Sequence, residues 1–323
     1  MRTRAMAVVG MSIGISFSVA LVLGPVISQP FGLSGLFWFT ALLASLGLLV
    51  IWKWVPTPQL YSPQRDATVQ KKQIFEMLKH PELLRLDMGI LILHLVMTAT
   101  FVVVPLRLVE QGLTAPQHWM VYLPIMILAF FAMVPFIIIA EKKRKMKPIF
   151  LLAISLVAIS QILMGLTTAD SQIMLFGLLF VYFMAFNLLE ASLPSMISKI
   201  SPAGQKGTAM GVYSSSQFFG AFIGGAAGGT IYGAWGIDAV LILCGALALI
   251  WVAIAWGMQP PKHLTGKVSA LPESWQEQTD QIVAKLLAIP GVEEVVIVAD
   301  EKAAYMKIDK ESLDEQALAS ALA

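Results

Sequence analysis

The sequence predicts an all-α polytopic membrane protein followed by a small α/β domain. Charged residues make up only 13% of the chain and hydrophobic residues 57%, whereas a soluble domain carries roughly 25% charged residues. The apolar residues are grouped into segments long enough to cross a bilayer as helices. After Met258 the composition changes sharply to the mixed pattern of a soluble unit. These observations place most of the chain in lipid.

Eight apolar segments are predicted to span the membrane, because each is close to the ~20 residues that cross a ~30 Å hydrocarbon core as a helix. Glycines and prolines inside them are tolerated, since neighbouring helices can satisfy the freed backbone groups. The predicted spans are residues 7–28, 34–55, 86–108, 118–140, 149–167, 172–198, 208–232 and 237–257.

The distribution of Lys and Arg predicts which side of the membrane each loop faces. Of the 22 basic residues, all but Arg107 fall on the side that holds both chain ends. Because positively charged loops stay in the cytoplasm, we expect both termini to be cytoplasmic. The short loops near 29–33, 168–171 and 233–236 then face the opposite side.

The polar stretch 56–81 is the longest break between spans and is predicted to be a cytoplasmic linker. Within it, Ile74, Phe75 and Leu78 recur at helical spacing beside lysines, which predicts a short amphipathic helix over 70–79. Two placements fit this helix equally well. It lies in the membrane interface, or it packs on the cytoplasmic end of the bundle.

Ionisable groups within a span are candidates for function, because each costs at least ~2.5 kcal/mol to insert. Glu190 is the one acid well inside a span and His94 the one imidazole, each about 14 Å from a cytoplasmic helix end at 1.5 Å per residue. Gln217 lies about 16 Å deep, and Asn187 is one turn from Glu190 on the same face. Asp87 and Glu141 lie near cytoplasmic ends, where they can reach water or basic partners.

These four deep side chains are predicted to form one polar layer, for which two interpretations remain open. In the first, Glu190 carries a proton or anchors a cationic substrate, and His94 is its partner. In the second, the layer is an interhelical hydrogen-bond cluster that stabilises the bundle. The spans contain no metal-ligand or nucleophile pattern, and the chain has no phosphate-binding P-loop. We therefore expect neither an enzyme nor an ATP-driven pump, and neither a metal nor a cofactor.

The first span resembles the fifth helix of antiporters in the major facilitator superfamily. The resemblance rests on Gly10, Gly14, Gly24 and Pro25, and it is partial because Ala20 stands where that motif prefers glycine.

Two further segments are similar to motifs of the same family. Glu141 and the basic run after it, which includes Arg144, are similar to a degenerate copy of the family's acidic-then-basic gate motif. An ordinary topology-setting basic loop explains the run equally simply. The run 201–225 is similar to the family's tenth loop and eleventh helix.

This resemblance implies a fold of twelve helices in two six-helix halves that rock around a midplane site. Residues 1–55 correspond to helices five and six, and residues 82–258 to helices seven to twelve. Eight of twelve helices would thus be present, and we expect the chain to be truncated at its N-terminus.

The resemblance also implies a secondary transporter of a bacterial inner membrane that exports a small molecule by proton-coupled antiport. The proton gradient would be its energy source. Its expected partners are the substrate and the lipid bilayer, and no nucleic acid. The alternatives are a non-transporting membrane anchor or sensor for the C-terminal domain, and an inactive truncated product.

The C-terminal residues 272–323, after a linker predicted over 259–271, form the α/β domain. The predicted elements are a helix over 274–287, a hairpin of strands over 292–298 and 303–308, and a last helix capped by Ser312. This order resembles a ferredoxin-like domain. The domain contains no cysteine, which excludes thiolate metal transfer. A regulatory role and a passive packing role both stay open.

Overall fold

A computed structural model describes residues 2–56, 71–167, 171–259, 264–271, 279–298, 303–309 and 312–322. Its elements are, in chain order, α1 (Arg2–Trp54), α2 (Lys71–Lys79), α3 (Pro81–Glu110), α4 (Trp119–Lys142), α5 (Met146–Leu166), α6 (Gln172–Ile200), α7 (Lys206–Trp256), β1 (Leu264–Ala270), α8 (Thr279–Leu287), β2 (Val292–Val298), β3 (Ala303–Asp309) and α9 (Glu315–Leu322). The all-α membrane part and the small sheet domain are both as predicted.

Six helices in the described part of the chain are long and apolar enough to cross a membrane, namely α3 to α7 and the part of α1 from Val26. The whole of α1 and the whole of α7 each cover two predicted spans. Helix α7 has 51 residues, or about 77 Å at 1.5 Å per residue, more than twice the thickness of a hydrocarbon core. Its helical geometry is interrupted at one residue, Gly236, and α1 is interrupted in the same way at Gly32.

These two glycines correct the prediction of short loops at 29–33 and 233–236. Gly32 has a φ of 62° and Gly236 a φ of 80°, in the left-handed region that glycine enters without steric penalty. One residue of this conformation ends one helix and starts the next. The helices therefore meet at a single residue where the sequence suggested four or five.

The bundle is built around α3 and α7, which pack closely along a stripe of small residues. A Cβ atom on Gly220 would lie 2.1 Å from the Leu91 carbonyl oxygen, and one on Gly224 would lie 2.2 Å from that of Leu95. Only glycine allows this approach, as is common between membrane helices. Helices α5 and α6 complete the packed group, α4 packs on α6, and α1 contacts α4.

Arg107, the one basic residue predicted on the outer side, is buried at the end of α3. Its guanidinium contacts the carboxylate of Asp238 in α7 and lies 3.4 Å from that of Glu110. The two acids neutralise this charge, and the Asp238 contact ties α3 to the second segment of α7.

The amphipathic helix α2 packs on the bundle through one face only. Gln73 and Met77 are buried, while the Phe75 side chain is 71% and that of Leu78 41% exposed. The buried face lies against α3 and α7, which agrees with predicted packing on the bundle end. The exposed apolar face retains the character of an interfacial helix.

The C-terminal domain has a three-stranded antiparallel sheet in the order β1-β3-β2. Helices α8 and α9 cover one face of it, where Leu286 and Leu318 pack against Met306 and Ile308. The order β1-α8-β2-β3-α9, with β3 between the two strands that α8 connects, matches the split β-α-β arrangement of ferredoxin-like domains. The described sheet thus agrees with the predicted fold.

Two local predictions in this domain were wrong. Strand β1 occupies 264–270, within the segment predicted as a linker, because its pairing with β3 is a non-local contact that outweighs a weak strand propensity. The last helix begins at Glu315, and the side chain of Asp314 accepts a hydrogen bond of 2.8 Å from the Ala317 amide. Asp314 is therefore the N-cap in place of Ser312. Helix α8 confirms the later part of the helix predicted over 274–287, and residues 272–278 lie outside the described residues.

Candidate functional site

Three helices bring polar side chains together inside the bundle. Gln217 of α7 lies between His94 of α3 and Glu190 of α6. Its Nε2 atom is 2.8 Å from His94 Nε2 and donates to Glu190 Oε1 over 3.3 Å. His94 Nε2 is 3.8 Å from Glu190 Oε2. We call these three residues the polar triad.

The Gln217 side chain links the two titratable members of the triad. Its amide N–H donates to Glu190 Oε1, and it faces His94 Nε2 in a contact whose donor depends on the tautomer of the imidazole. The reversed amide would present its oxygen to both neighbours, and it would accept from a neutral His94 whose proton is on Nε2 and from a protonated Glu190. Gln217 can therefore serve either protonation state of Glu190 without a change in the charge of His94.

The members of the triad differ in accessibility. The side chain of His94 is 10% exposed and that of Glu190 is 37% exposed. Phe186, one turn before Glu190, packs its ring at 6.0 Å from the imidazole and helps to cover it. Glu190 Oε2 has no hydrogen-bond partner among the described residues. Glu190 is therefore the more exposed of the two titratable members, while its Oε2 atom is itself buried and faces His94.

Asn187, the fourth residue of the predicted layer, lies half-buried on α6. Within the described ranges, no hydrogen bond joins it to the triad. Sequence analysis did not find a second buried amide, Gln161 of α5, which donates to Thr100 Oγ1 of α3 over 2.8 Å. The sequence around an uncharged glutamine in an apolar segment does not indicate which residue will form a hydrogen bond with it.

Asp87 is more enclosed than its position near a helix end suggests. It is 4% exposed, and in the part of the chain that the structure describes its Oδ1 atom accepts no hydrogen bond. The expectation that it reaches water was wrong, because both α2 and α7 pack on α3.

Glu141, the acidic residue of the gate-motif remnant, makes an interhelical contact with a lysine outside that motif. Glu141, in the last turn of α4, accepts two hydrogen bonds from Lys199 of α6, at 2.9 and 3.0 Å. Arg144 lies in the connection to α5 with a φ of 53°. The interhelical contact of Glu141 is therefore with Lys199, which sequence analysis had assigned only a topological role.

The residues of the predicted helix-five motif all lie within α1. The surroundings of Gly10, Gly14 and Pro25 are outside the described residues. A Cβ atom on Gly24 would meet no atom within 4 Å. Gly24 thus makes no close helix approach in the described part of the chain.

No group of three or more His, Cys, Asp or Glu side chains that could hold a metal ion occurs among the described residues. The site is instead a set of hydrogen-bonding groups that can hold a proton or a cation. A bundle of membrane-length helices with a polar triad in its interior and a ferredoxin-like domain after it defines the class of polytopic membrane proteins.

Comparison with known proteins agrees with this class. The sequence matches the Major Facilitator Superfamily over residues 1–224 and 147–292, and the YajR YAM domain over residues 269–319. The chain belongs to the major facilitator superfamily, and the predicted resemblance is confirmed.

Several curated relatives are similar in sequence to this chain. The chain is 42% identical over 309 residues to the inner membrane transport protein YajR of Escherichia coli, an alignment of 95% of this chain and 67% of the relative. It is 29% identical over 224 residues to an uncharacterized transporter of Buchnera aphidicola from Acyrthosiphon pisum, covering 69% of this chain and 57% of the relative. A second Buchnera transporter, from Baizongia pistaciae, is 26% identical over 254 residues, with coverages of 77% and 64%. The chain spans about two thirds or less of the length of these relatives.

Proposed function

We propose that this chain forms part of a secondary transporter in a bacterial inner membrane, which exports a small molecule in exchange for protons by alternating access. Family membership and the names of the relatives support transport. The polar triad is the observation that carries proton coupling. Both termini would be cytoplasmic, since the basic residues of the loops lie on that side.

Glu190 is the proposed proton carrier. It belongs to the triad, it keeps part of its side chain accessible, and its Oε2 atom is not engaged by a hydrogen bond. A cationic substrate would compete with the proton for the same carboxylate. Exchange follows from this competition, because binding of one species requires release of the other.

Gln217 and His94 would stabilise both states of the carboxylate. With Glu190 ionised, the Gln217 amide donates to it, as in the arrangement described above. With Glu190 protonated, the reversed amide accepts from the carboxyl O–H, and a neutral His94 with its proton on Nε2 donates to the same amide oxygen. The charge of the triad then changes at Glu190 alone. The proton gradient supplies the energy, and no cofactor or enzymatic step is required.

A second candidate is a membrane anchor or sensor for the C-terminal domain. It is favoured by one observation, that residues of β2 and β3 contact the connection between α6 and α7. An anchor requires no proton exchange at Glu190, so the two candidates predict different behaviour of that residue.

Infrared difference titration of the purified protein in lipid bilayers tests the proposal without knowledge of the substrate. A protonated carboxylic acid has a C=O stretch distinct from that of a carboxylate. Asp87 is a second buried acid, so two buried carboxyl bands are expected in the original chain, and the one that titrates with Glu190 should be absent from Glu190→Gln and retained in Asp87→Asn. The matched control Glu76→Gln removes an exposed acid of α2 and should retain the band. An unchanged band in Glu190→Gln would exclude Glu190 as the carrier.

A further inference from the structure

The central strand of the C-terminal sheet is buried on both faces. Ala304, Met306 and Ile308 point toward α8 and α9. The alternate residues, Tyr305 and Lys307 among them, point to the opposite face and are 2% and 8% exposed. Since successive side chains of a strand alternate between faces, a second partner must cover this side of the sheet.

The partner is the connection between α6 and α7. Ala203 forms an apolar cluster with Val298, Ala303 and Tyr305. Gly204, with a φ of 73°, lies under the Tyr305 ring, and a Cβ atom built on it would be 3.9 Å from the Cβ of Tyr305. The membrane part thus supplies a small, flat surface on which an aromatic ring packs.

Lys307 binds the carboxyl end of α6. Its Nζ donates to the carbonyl oxygens of Lys199 and Ile200, at 3.0 and 3.2 Å. These are the last two residues of α6, whose final carbonyls have no partner within the helix. A cation at this end is also favoured by the helix dipole. Lys307 therefore acts as a cap that another domain provides.

Glu294 completes the polar contact from the neighbouring strand. It is the register partner of Lys307 in the β2–β3 ladder, and its Oε2 is 3.5 Å from Lys307 Nζ. Its Oε1 accepts a hydrogen bond of 2.9 Å from the Ala203 amide. Lys307 and Glu294 thus form a cross-strand pair of opposite charge. The lysine donates to carbonyl groups at the end of α6, and the glutamate accepts from an amide in the turn that follows.

We propose that this face of the sheet is an intramolecular docking surface whose partner is segment 199–204, the carboxyl end of α6 and the turn after it. The inference does not depend on the transport proposal. Docking fixes the backbone on either side of the turn and, through Lys199, stabilises the contact with Glu141 of α4. The surface consists of few side chains with polar contacts that water can replace, as is typical of interfaces between domains that separate. The domain can therefore bind and release the end of α6, the helix that carries Glu190.

A disulfide across the interface tests the docking directly. The distance of 3.9 Å between the Cβ positions of residues 204 and 305 lies within the range that a disulfide requires. The single native cysteine, Cys244, is buried and does not compete. In full-length protein in bilayers, Gly204→Cys with Tyr305→Cys should cross-link under mild oxidation, as detected by mass spectrometry of the linked peptides. Gly204→Cys with Lys285→Cys is the control, because α8 covers the other face of the sheet.

Hydrogen exchange of the full chain gives a second, independent measurement. In Lys307→Met we expect exchange in segment 199–204 to be about tenfold faster, because a charge-assisted contact is lost. Lys285→Met should leave it unchanged. Continued protection of the β3 amides will show that the sheet itself is folded, and if that protection is lost, the cross-link alone decides. Cross-linking no greater than in the control pair, or unchanged exchange in Lys307→Met with β3 still protected, would overturn the docking surface.

Discussion

Gln217 is the residue of the bundle that most directly affects the protonation of the triad. Its amide contacts both titratable members of the triad, and either orientation of the amide satisfies both of them. His94 Nε2 also lies 3.8 Å from Glu190 Oε2, so the amide is a shared partner of two groups that already lie close together.

Replacement of this amide by a hydrocarbon should damage the triad. In Gln217→Leu, Glu190 and His94 lose a shared hydrogen-bond partner inside the membrane, and we expect a loss of about 1–3 kcal/mol in the free energy of unfolding. Asn187→Leu is the matched control, since that amide is one turn away and makes no hydrogen bond to the triad. Thermal unfolding in detergent measures both variants. Equal losses would mean that Gln217 is only one of several polar packing residues.

The residues of the triad were accessible to sequence analysis, but the bonds between them were not. Depth along a helix follows from the residue count at 1.5 Å each, and this placed His94, Glu190 and Gln217 in one layer. Asp87 shows the limit of that method. Its expected access to water was wrong, because burial depends on which neighbouring helices pack over it.

Among the elements, the pair α3 and α7 is held by backbone contact. Gly220 and Gly224 touch the carbonyl groups of α3, and a Cβ on Gly228 would lie 3.0 Å from the Ala99 Cα. Gly225 and Gly229 belong to the same sequence stripe, yet a Cβ on either would meet no atom within 4 Å. Among these five glycines, the structure assigns the close packing to those on one face of α7.

This division gives a prediction with an internal control. Gly224→Ala places a methyl group against the Leu95 carbonyl and should force α3 and α7 apart, which we expect to destabilise the protein by about 1–3 kcal/mol. Gly225→Ala adds the same group in open space and should be neutral or slightly stabilising, because alanine favours helix more than glycine does. Thermal unfolding of the two variants in one detergent compares them. Similar unfolding temperatures would contradict the close contact.

The elements that sequence analysis missed depend on partners distant in the chain. Strand β1 exists through its pairing with β3, and Lys307 resembles an ordinary polar residue on an alternating strand. Lys307 acts as a cap because it donates to the Lys199 carbonyl, which lies at the end of a helix more than a hundred residues earlier in the chain. Local pattern carries no information about such contacts.

For the whole molecule, the structure connects a membrane bundle to a domain that docks on only a few of its residues. The family fold requires two halves that move relative to each other. The docking surface lies at the end of α6, in the part of the chain that corresponds to the second half. We infer that the domain moves together with that half.

Removal of the C-terminal domain should separate its role from that of the triad. A chain that ends at Met258 is expected to retain the titrating carboxyl band assigned to Glu190, because the domain contacts none of the triad residues. Exchange in segment 199–204 should increase as in Lys307→Met, since the cap on α6 is lost. Infrared titration and hydrogen exchange of the same sample measure the two effects. A vanished carboxyl band would show that the domain is required for proton binding.

The glycine break in α7 limits how the bundle can move. The two segments of α7 are joined by the single residue Gly236. They therefore cannot slide past each other along the membrane normal, because no longer loop connects them. Trp251, in the second segment, lies so close to α3 that a Cβ on Gly89 would be 2.8 Å from its Nε1 atom. A piston-like displacement of Gln217 would therefore have to carry Trp251 and α3 with it.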